Sequence, residues 1–509
     1  MKFETNQDRK PKTEDQKESH FYLIGLAVLI ILGAGTAGFY IWRDSKSPVS
    51  DEQIKTVAVL PFKPLAAENR DEALELGMAD TLISKLSGDE ITVRPLSAIR
   101  RYNSVEQDSL IAGRELNVEA VLDGTIQISG ERIRVSARLV QTSDGKQLWA
   151  EQFDEKFTDI FAVQDSISER VAAALKIRLG NRERNHQTEN VEAYQLYMKG
   201  RYHILKLKPS ETNKALSYFQ QAIAIDPTYA RAYLGLANSY RSLVLAGEMT
   251  PTEFLPKAKA AASKAIEIDD TLAEAHAELC YIVIRYDWNW NEAENHCKQA
   301  LELDPNNAET HHAYAHVFSL TGRHEQGLAE IERARELDPL NLRISTVEAQ
   351  FLIYAGQTDE ALFRLQKAIE LEPDFWFAHN FAASAYIEKG MYAEAIAEAR
   401  RAKELSGGIT QPIGFLGYAL VKSGKETEAR AELESLLKLS NERYVPPYHI
   451  AMIYNGLDER DKTLEWLERG FNERDPRMAF LKVEPKWNNL RNEPRFTDFD
   501  ETYETTIVK

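Results

Sequence analysis

Ala308 to Pro339 reads AETHHAYAHVFSLTGRHEQGLAEIERARELDP, and this stretch decides the fold. His311, Tyr314, Ala315 and Phe318 recur at the spacing of one helix face, and Gly327, Ile331 and Ala334 repeat it for a second helix. Small side chains at Ala315, Gly327 and Ala334 let the two helices cross closely. Asp338-Pro339 then stops the second helix, because proline has no N–H to continue the ladder. The same punctuation recurs at Asp304-Pro305, Glu372-Pro373, Ser406-Gly407 and Ser440-Asn441, and positions 305, 339, 373, 407 and 441 are 34 apart each time. A fixed period in this range predicts stacked helical pairs. Such arrays present a continuous concave face, so the expected role is an interaction surface rather than a reaction centre.

The unit resembles the tetratricopeptide repeat. The resemblance implies a tetratricopeptide-repeat α-solenoid over 190–475, about eight helix pairs; with the small α+β domain and the one transmembrane helix read before it below, the expected fold is mainly α. The spacing from Pro227 to Asp270 is 43, nine more than the period, which places an insertion around Leu245 to Thr252. Asp270 stands where neighbouring units have proline. The stretch DPRMAFLKVEPKWNNLRNEPRF is expected to begin a C-terminal cap over 476–509, since a terminal unit must hide one face of the stack from water.

Carried onto this chain, the geometry of such repeats implies a groove lined by Arg231, Asn238, Tyr281, His312, His316, Phe377, Asn380, Tyr418, Tyr448 and Met452. The carboxylate clamp of chaperone-binding relatives needs Lys and Asn at set places. Only Asn238 fits it, and Leu234 stands where a Lys is required. An aromatic, histidine-rich groove suits an extended peptide or a partner helix, with aromatics as anchors; the alternative is that these rings pack between repeats. His312 and His316 lie one helical turn apart, a spacing that could hold a metal, but no third ligand is placed. A protonation switch at mildly acid pH is the other reading of the pair.

Before the repeats, Thr56 to Leu60 is a continuous β-rich apolar run ended by Pro61, as expected of a strand buried on both faces. Leu74, Met78, Leu82 and Leu86 predict one face of a helix over Asp71 to Leu86, and Ser109 to Leu116 a further helix. Ile133, Val135, Ala137 and Leu139 alternate with Arg132, Arg134, Ser136 and Arg138, the period of a half-buried strand. Ile160, Val163, Ile167, Val171 and Leu175 close the domain with a helix. Trp149 is expected in the core, and the three arginines on a solvated face. The stretches TVAVLPF, LDGTIQISGERIRVSARLVQTSDGKQLWAEQFD and DIFAVQDSISERVAAAL resemble the TolB-like amino-terminal domain, here over 54–182. That resemblance implies kinship with membrane-tethered winged-helix regulators and adenylate cyclase-associated proteins, whose cytoplasmic output module precedes the membrane span. Only twenty residues precede Phe21 here, so a regulatory role is expected to need a separate partner for the output.

Phe21 to Trp42 is an apolar run without a charge, long enough for one bilayer crossing and flanked by aromatics at both ends. A cleaved signal peptide is the alternative reading. The expected order is a cytoplasmic tail (1–20), a transmembrane helix (21–42) and a linker (43–53). Lys2, Arg9, Lys10, Lys12 and Lys17 before the span outnumber Arg43, Lys46 and Lys55 after it. This favours a bacterial inner-membrane protein with a cytoplasmic N-terminus and the bulk of the chain in the periplasm. Gly33 with Ala37 and Ala34 with Gly38 make small-xxx-small pairs that allow a homodimer through this helix. Gly33, Gly35 and Gly38 also spell a dinucleotide fingerprint, rejected because no strand precedes it.

The chain carries 62 Lys and Arg against 79 Asp and Glu, a net charge of −17, which disfavours a general role on nucleic acid. Cys280 and Cys297 are the two cysteines. Two buried free thiols are the expected reading, with a bridge possible in an oxidising compartment. No nucleophile–base motif, zinc-protease motif or complete P-loop appears, and Gly424-Lys425 lacks the leading Gly and following Ser or Thr. No enzyme and no cofactor are therefore expected. The sequence predicts a membrane-anchored scaffold that binds a protein or peptide in its groove. The alternative is the ectodomain of a signalling or transcription-regulatory sensor acting through a separate output partner.

Overall fold

The structure, a computed structural model, describes residues 54–65, 70–88, 90–103, 107–177, 188–206 and 208–505. A six-stranded sheet comes first. Strands β1 (Thr56–Val59), β3 (Thr92–Val93) and β4 (Ala120–Ser129) run parallel, and β2 (Lys63–Pro64) also pairs with β4. Strands β5 (Arg132–Gln141) and β6 (Gln147–Lys156) continue as an antiparallel meander, giving the order β3-β1-β4-β5-β6. Val57, Ala58 and Val59 are wholly buried because β1 has neighbours on both edges and helices over the sheet. In β5, Ile133, Val135, Ala137 and Leu139 point inward and Arg132, Arg134 and Arg138 outward.

The arginine face is ion-paired rather than merely solvated. Arg132 and Arg134 both bind Asp154, and Arg138 binds Asp123 at 2.6 Å. Trp149 is only half-buried, packed against the core from β6, the edge strand of the sheet.

Helix α1 (Glu72–Leu86) begins at Asp71, whose carboxylate accepts from the N–H of Leu74. Two short helices, α2 (Leu96–Ile99) and α3 (Ser109–Glu115), and α4 (Ile160–Leu175) complete this domain. Eight helix pairs follow among the described residues. They are α5 (Val191–Ile204) with α6 (Pro209–Ile225), α7 (Ala230–Leu245) with α8 (Pro251–Ile268), and α9 (Ala273–Ile282) with α10 (Trp290–Leu303). Next come α11 (Ala308–Leu320) with α12 (His324–Leu337), α13 (Leu342–Tyr354) with α14 (Thr358–Leu371), and α15 (Trp376–Glu388) with α16 (Tyr392–Leu405). The last two are α17 (Gln411–Lys422) with α18 (Glu426–Leu439) and α19 (Pro447–Gly456) with α20 (Arg460–Asn472), before a final helix α21 (Pro494–Thr505).

Local chemistry sets the pairs. Asp338 ends α12 by leaving the helical backbone region, and Asn341 starts α13 by accepting from the N–H groups of Arg343 and Ile344. Asp304 and Asn307 do the same one period earlier. Within the quoted pair, a Cβ on Gly327 would stand 3.1 Å from the Ser319 nitrogen, so the absence of a side chain sets the crossing distance. The insertion lengthens α7 and α8 to 16 and 18 residues and leaves a turn at 246–250. That turn reaches across the array: Arg443 donates to the Gly247 carbonyl and Arg477 to the Leu245 carbonyl at 3.0 Å. Trp288 stacks on Phe471, ring centres 4.8 Å apart. The second and third pairs thus meet the seventh and eighth, and the array closes on itself.

Two expectations are corrected. Cys280 and Cys297 form a disulfide between α9 and α10, instead of remaining free thiols, because pairing the helices brings both buried side chains together. Phe21–Trp42, and with it Gly33, Ala34, Ala37 and Gly38, lies outside the described residues. Among the described residues no helix is long and apolar enough to cross a membrane. The array helices are too short or too polar: α11, at 13 residues, rises about 20 Å against a hydrocarbon core of about 30 Å. The inner-membrane, single-pass localisation is therefore not supported, nor is a homodimer through such a helix.

Candidate functional site

The first helix of each pair lines the inside of the array. Arg231, Glu274, Glu309 and Arg343 are each the second residue of their helix, so they stand in register along one rim. Arg231 pairs with Glu274 at 3.8 Å, and Arg343 with Glu309. One turn or two further along, Asn238 accepts from Arg241 at 2.6 Å, and Arg241 donates to Glu278 at 2.6 Å.

Tyr281, His312 and His316 come together as expected for one face, with His312 and His316 ring centres 4.9 Å apart. Tyr281 stands 6.1 Å from His312 and 5.3 Å from His316. Three arginines gather around them. Arg241 and Arg285 lie 4.7 and 4.9 Å from the Tyr281 ring centre, and Arg343 reaches His312 at 3.4 Å. Burial, reinforced by Arg343, pushes His312 down to about 3. Burial and Arg285 push His316 far down as well. The pair is therefore neutral at mildly acid pH, which removes the expected protonation switch there. Desolvation by the surrounding cluster opposes ionisation of Glu309, but the Arg343 guanidinium outweighs it and holds the carboxyl at about 2. Among the described residues no group of three or more His, Cys, Asp or Glu could hold a metal.

The other predicted positions lie under the chain's own C-terminal segment or within aromatic packing. Phe377 packs edge-on against Phe381 at 4.9 Å. Asn380 is fully buried with neither amide atom partnered. Tyr418 is half-buried, and burial pushes its hydroxyl up to about 12. Tyr448 accepts from the Trp487 indole at 2.8 Å. Met452 lines a cavity of about 30 Å³ with Tyr448, Phe480 and Glu484. Residues 476–490 therefore occupy part of the concave face. Lys486, 1% exposed, donates to Ser384, Glu388 and Glu484 at 2.8 to 3.0 Å. Asn455 holds the Lys486 carbonyl at 2.7 Å.

The α+β domain packs on the first helices of the first two pairs and along the adjoining rim of the array. Tyr194 of α5 meets Thr81 at 2.8 Å and Gln164 at 2.6 Å, and Arg201 binds Asp80 at 3.0 Å. Arg231 reaches Ser84, and Asn306 donates to the Gly88 carbonyl at 3.3 Å. Gly77 makes the close approach possible, since a Cβ there would lie 1.9 Å from the Met198 sulfur.

Sequence reasoning missed Arg241, Arg285 and Arg343. A signal existed for two of them: Arg343 follows Glu309 by one period of 34, and Arg285 follows Tyr281 by one helical turn. Arg285 is carried by a wider, π-type turn at Val283–Asp287 that extends α9.

The second domain of HilA/YgeH-like transcriptional regulators matches residues 52–170, and tetratricopeptide repeats match residues 289–351 and 346–408. The chain is 29% identical over 232 residues to the putative adenylate cyclase 3 of Rhizobium meliloti (strain 1021), which is 44% of this chain and 39% of that protein. It thus spans about two fifths of the length of that curated relative. Among solved structures it is similar to the APC/C hetero-tetramer Cut9-Hcn1, at 16% identity over 67% of this chain and 59% of that chain, with a TM-score of 0.42. It is also similar to yeast Tom70, at 16% identity over 67% of this chain and 78% of that chain, with a TM-score of 0.38. The helical part of this chain is an array of tetratricopeptide repeats, and a small sheet domain lies near its N-terminal side.

Proposed function

We propose that this chain is a protein-interaction scaffold that binds a peptide or protein partner on the open part of its concave face. The observation that carries the reading is the contrast along that face. Asn380, Tyr448 and Met452 are buried, Tyr448 and Met452 beside the segment 476–490, and Arg231 is held against Ser84 of the α+β domain, whereas Asn238 and Tyr281 remain partly exposed with charged neighbours. A half-exposed tyrosine flanked by arginines suits a polypeptide partner with an aromatic or acidic anchor. A photo-crosslinker at position 281 tests it. The reading requires a discrete protein adduct that disappears with Asn238→Ala and re-forms between purified components. An adduct pattern unchanged by the substitution would sink it.

A second reading has its own support. The similarity of residues 52–170 to a domain of transcriptional regulators, and the partial similarity to a putative adenylate cyclase, favour a regulatory sensor that acts through a separate output partner. Here the repeats receive the signal and the α+β domain, fastened to their rim, passes it on. Substituting Ser97 or Asp338, which meet across the seam, should change the output without changing partner capture at position 281. Equal output in seam variants would count against it.

A further inference from the structure

Arg285 is buried, and among the described residues no carboxylate lies within ion-pair distance of it. Its Nη2 donates to the Tyr281 hydroxyl at 3.0 Å and meets His316 Nδ1 at 3.3 Å, while its Nε has no partner. The guanidinium also lies 4.4 Å from the Phe480 ring centre. Its charged neighbours do not balance it. Arg231, Arg241 and Arg343 are matched by Glu274, Glu278 and Glu309, so Arg285 is the excess cation of the cluster. Glu484, on the neighbouring segment, is engaged by Lys486 and by the Tyr354 hydroxyl. His316, 1% exposed, has an Nε2 without a partner. A buried cation without a counter-charge is costly, and groups perturbed in this way cluster at functional sites.

We propose that the concave face holds an anion-binding site in which Arg285, with Arg241 and Arg343, takes a carboxylate or phosphate group beside Tyr281 and the His312–His316 pair. The anion neutralises the excess guanidinium, and Tyr281 offers its hydroxyl and ring to whatever carries the charge. The two imidazoles, held neutral by burial and by the same arginines, can each donate one N–H. The wider turn at Val283–Asp287 is the device that brings the third arginine inward.

The inference rests on the reading of this face as the binding surface, and its test is separable from that reading. Thermal unfolding of the full chain is followed while inorganic phosphate, acetate or an acetylated peptide with a free C-terminal carboxylate replaces chloride at constant ionic strength. The site requires a saturable rise in Tm with at least one of them, since a ligand that binds only the folded state stabilises it. Phosphate alone indicates a phosphorylated ligand, whereas acetate and the peptide indicate a carboxylate. Arg285→Gln should weaken the effect about tenfold or more. Arg343→Gln should weaken it too, which keeps the test decisive if Arg285→Gln folds poorly. Arg430→Gln, at an exposed pair remote in sequence, should leave it unchanged. No saturable shift with any probe, or equal shifts in the wild type and both site variants, overturns the proposal. Anion binding without a protein adduct at position 281 would sink only the scaffold reading, and an adduct without anion binding only this one.

Discussion

Arg94 of the α+β domain donates to the main-chain carbonyl of Leu337, 243 residues away, at 2.9 Å. The same guanidinium donates to the carbonyls of Glu336, Leu116 and Asn117 at 2.8 to 2.9 Å. One buried side chain thus ties the end of α12 to the sheet domain. Arg94→Ala removes charge-assisted bonds at four main-chain acceptors, two of them buried, and should cost about 3 kcal/mol. Because it cuts a link between two modules, urea unfolding should also split into two transitions. A single transition with an unchanged midpoint would show that the link carries little.

Gly77 presents a case where two effects oppose. Replacing a helical glycine normally gains up to about 1 kcal/mol. Here the new side chain meets Met198, whose sulfur would lie 1.9 Å from the Cβ. Gly77→Leu should therefore destabilise by roughly 1–3 kcal/mol through overpacking. Adding Met198→Ala should recover part of that loss, as chemical denaturation of the single and double variants will show.

Lys486 and Glu484 form a buried pair, 1% and 3% exposed, at 3.0 Å. Lys486→Met leaves Glu484 buried without its cation, at a cost of roughly 3–5 kcal/mol. The double variant Lys486→Met with Glu484→Gln should restore most of it. A double-mutant cycle with no coupling would mean that the segment 476–490 is held by its apolar contacts instead.

The pH dependence follows from His312. Its folded pKa, about 3, lies below the ordinary histidine value, so the unfolded chain binds the proton more readily. Stability from the neutral ring is complete above about pH 6.5 and is lost as pH falls from there toward about 3. The slope for one such histidine is about 1.4 kcal/mol per pH unit, or about 2 kcal/mol between neutrality and about pH 5. Urea midpoints at the two pH values should differ less in His312→Gln than in the wild type. An equal pH slope in both proteins would exclude His312 as the source.

The disulfide closes a loop with a sequence separation of 17 between α9 and α10. Chain entropy assigns such a cross-link about 3 kcal/mol. The paired substitutions Cys280→Ala and Cys297→Ala should lower stability by about that amount. The Arg285 turn immediately follows α9, so the variant should also weaken any anion-dependent shift. Unaltered unfolding would show that helix packing alone holds this pair.

The helix pairs were legible in the sequence because their causes are local. Apolar residues three and four apart, Asp-Pro at the stops and asparagine at the starts act within one or two turns of chain. The alternation through β5 was legible for the same reason. The candidate site was legible only in part: Tyr281, His312 and His316 share a face that the period reveals. Arg285 was missed because it sits on a widened turn, and Trp149 because exposure at a sheet edge is a property of the whole sheet.

By itself the sequence determined the repeat, its period and the existence of a separate sheet domain, since short-range periodicity encodes each of them. Only the tertiary structure decided that Arg443 meets Gly247, that Lys486 lies inside the array, and that Cys280 pairs with Cys297. The physical reason is accumulation. Small rotations between neighbouring pairs add up over eight of them, and whether the ends meet depends on every interface together.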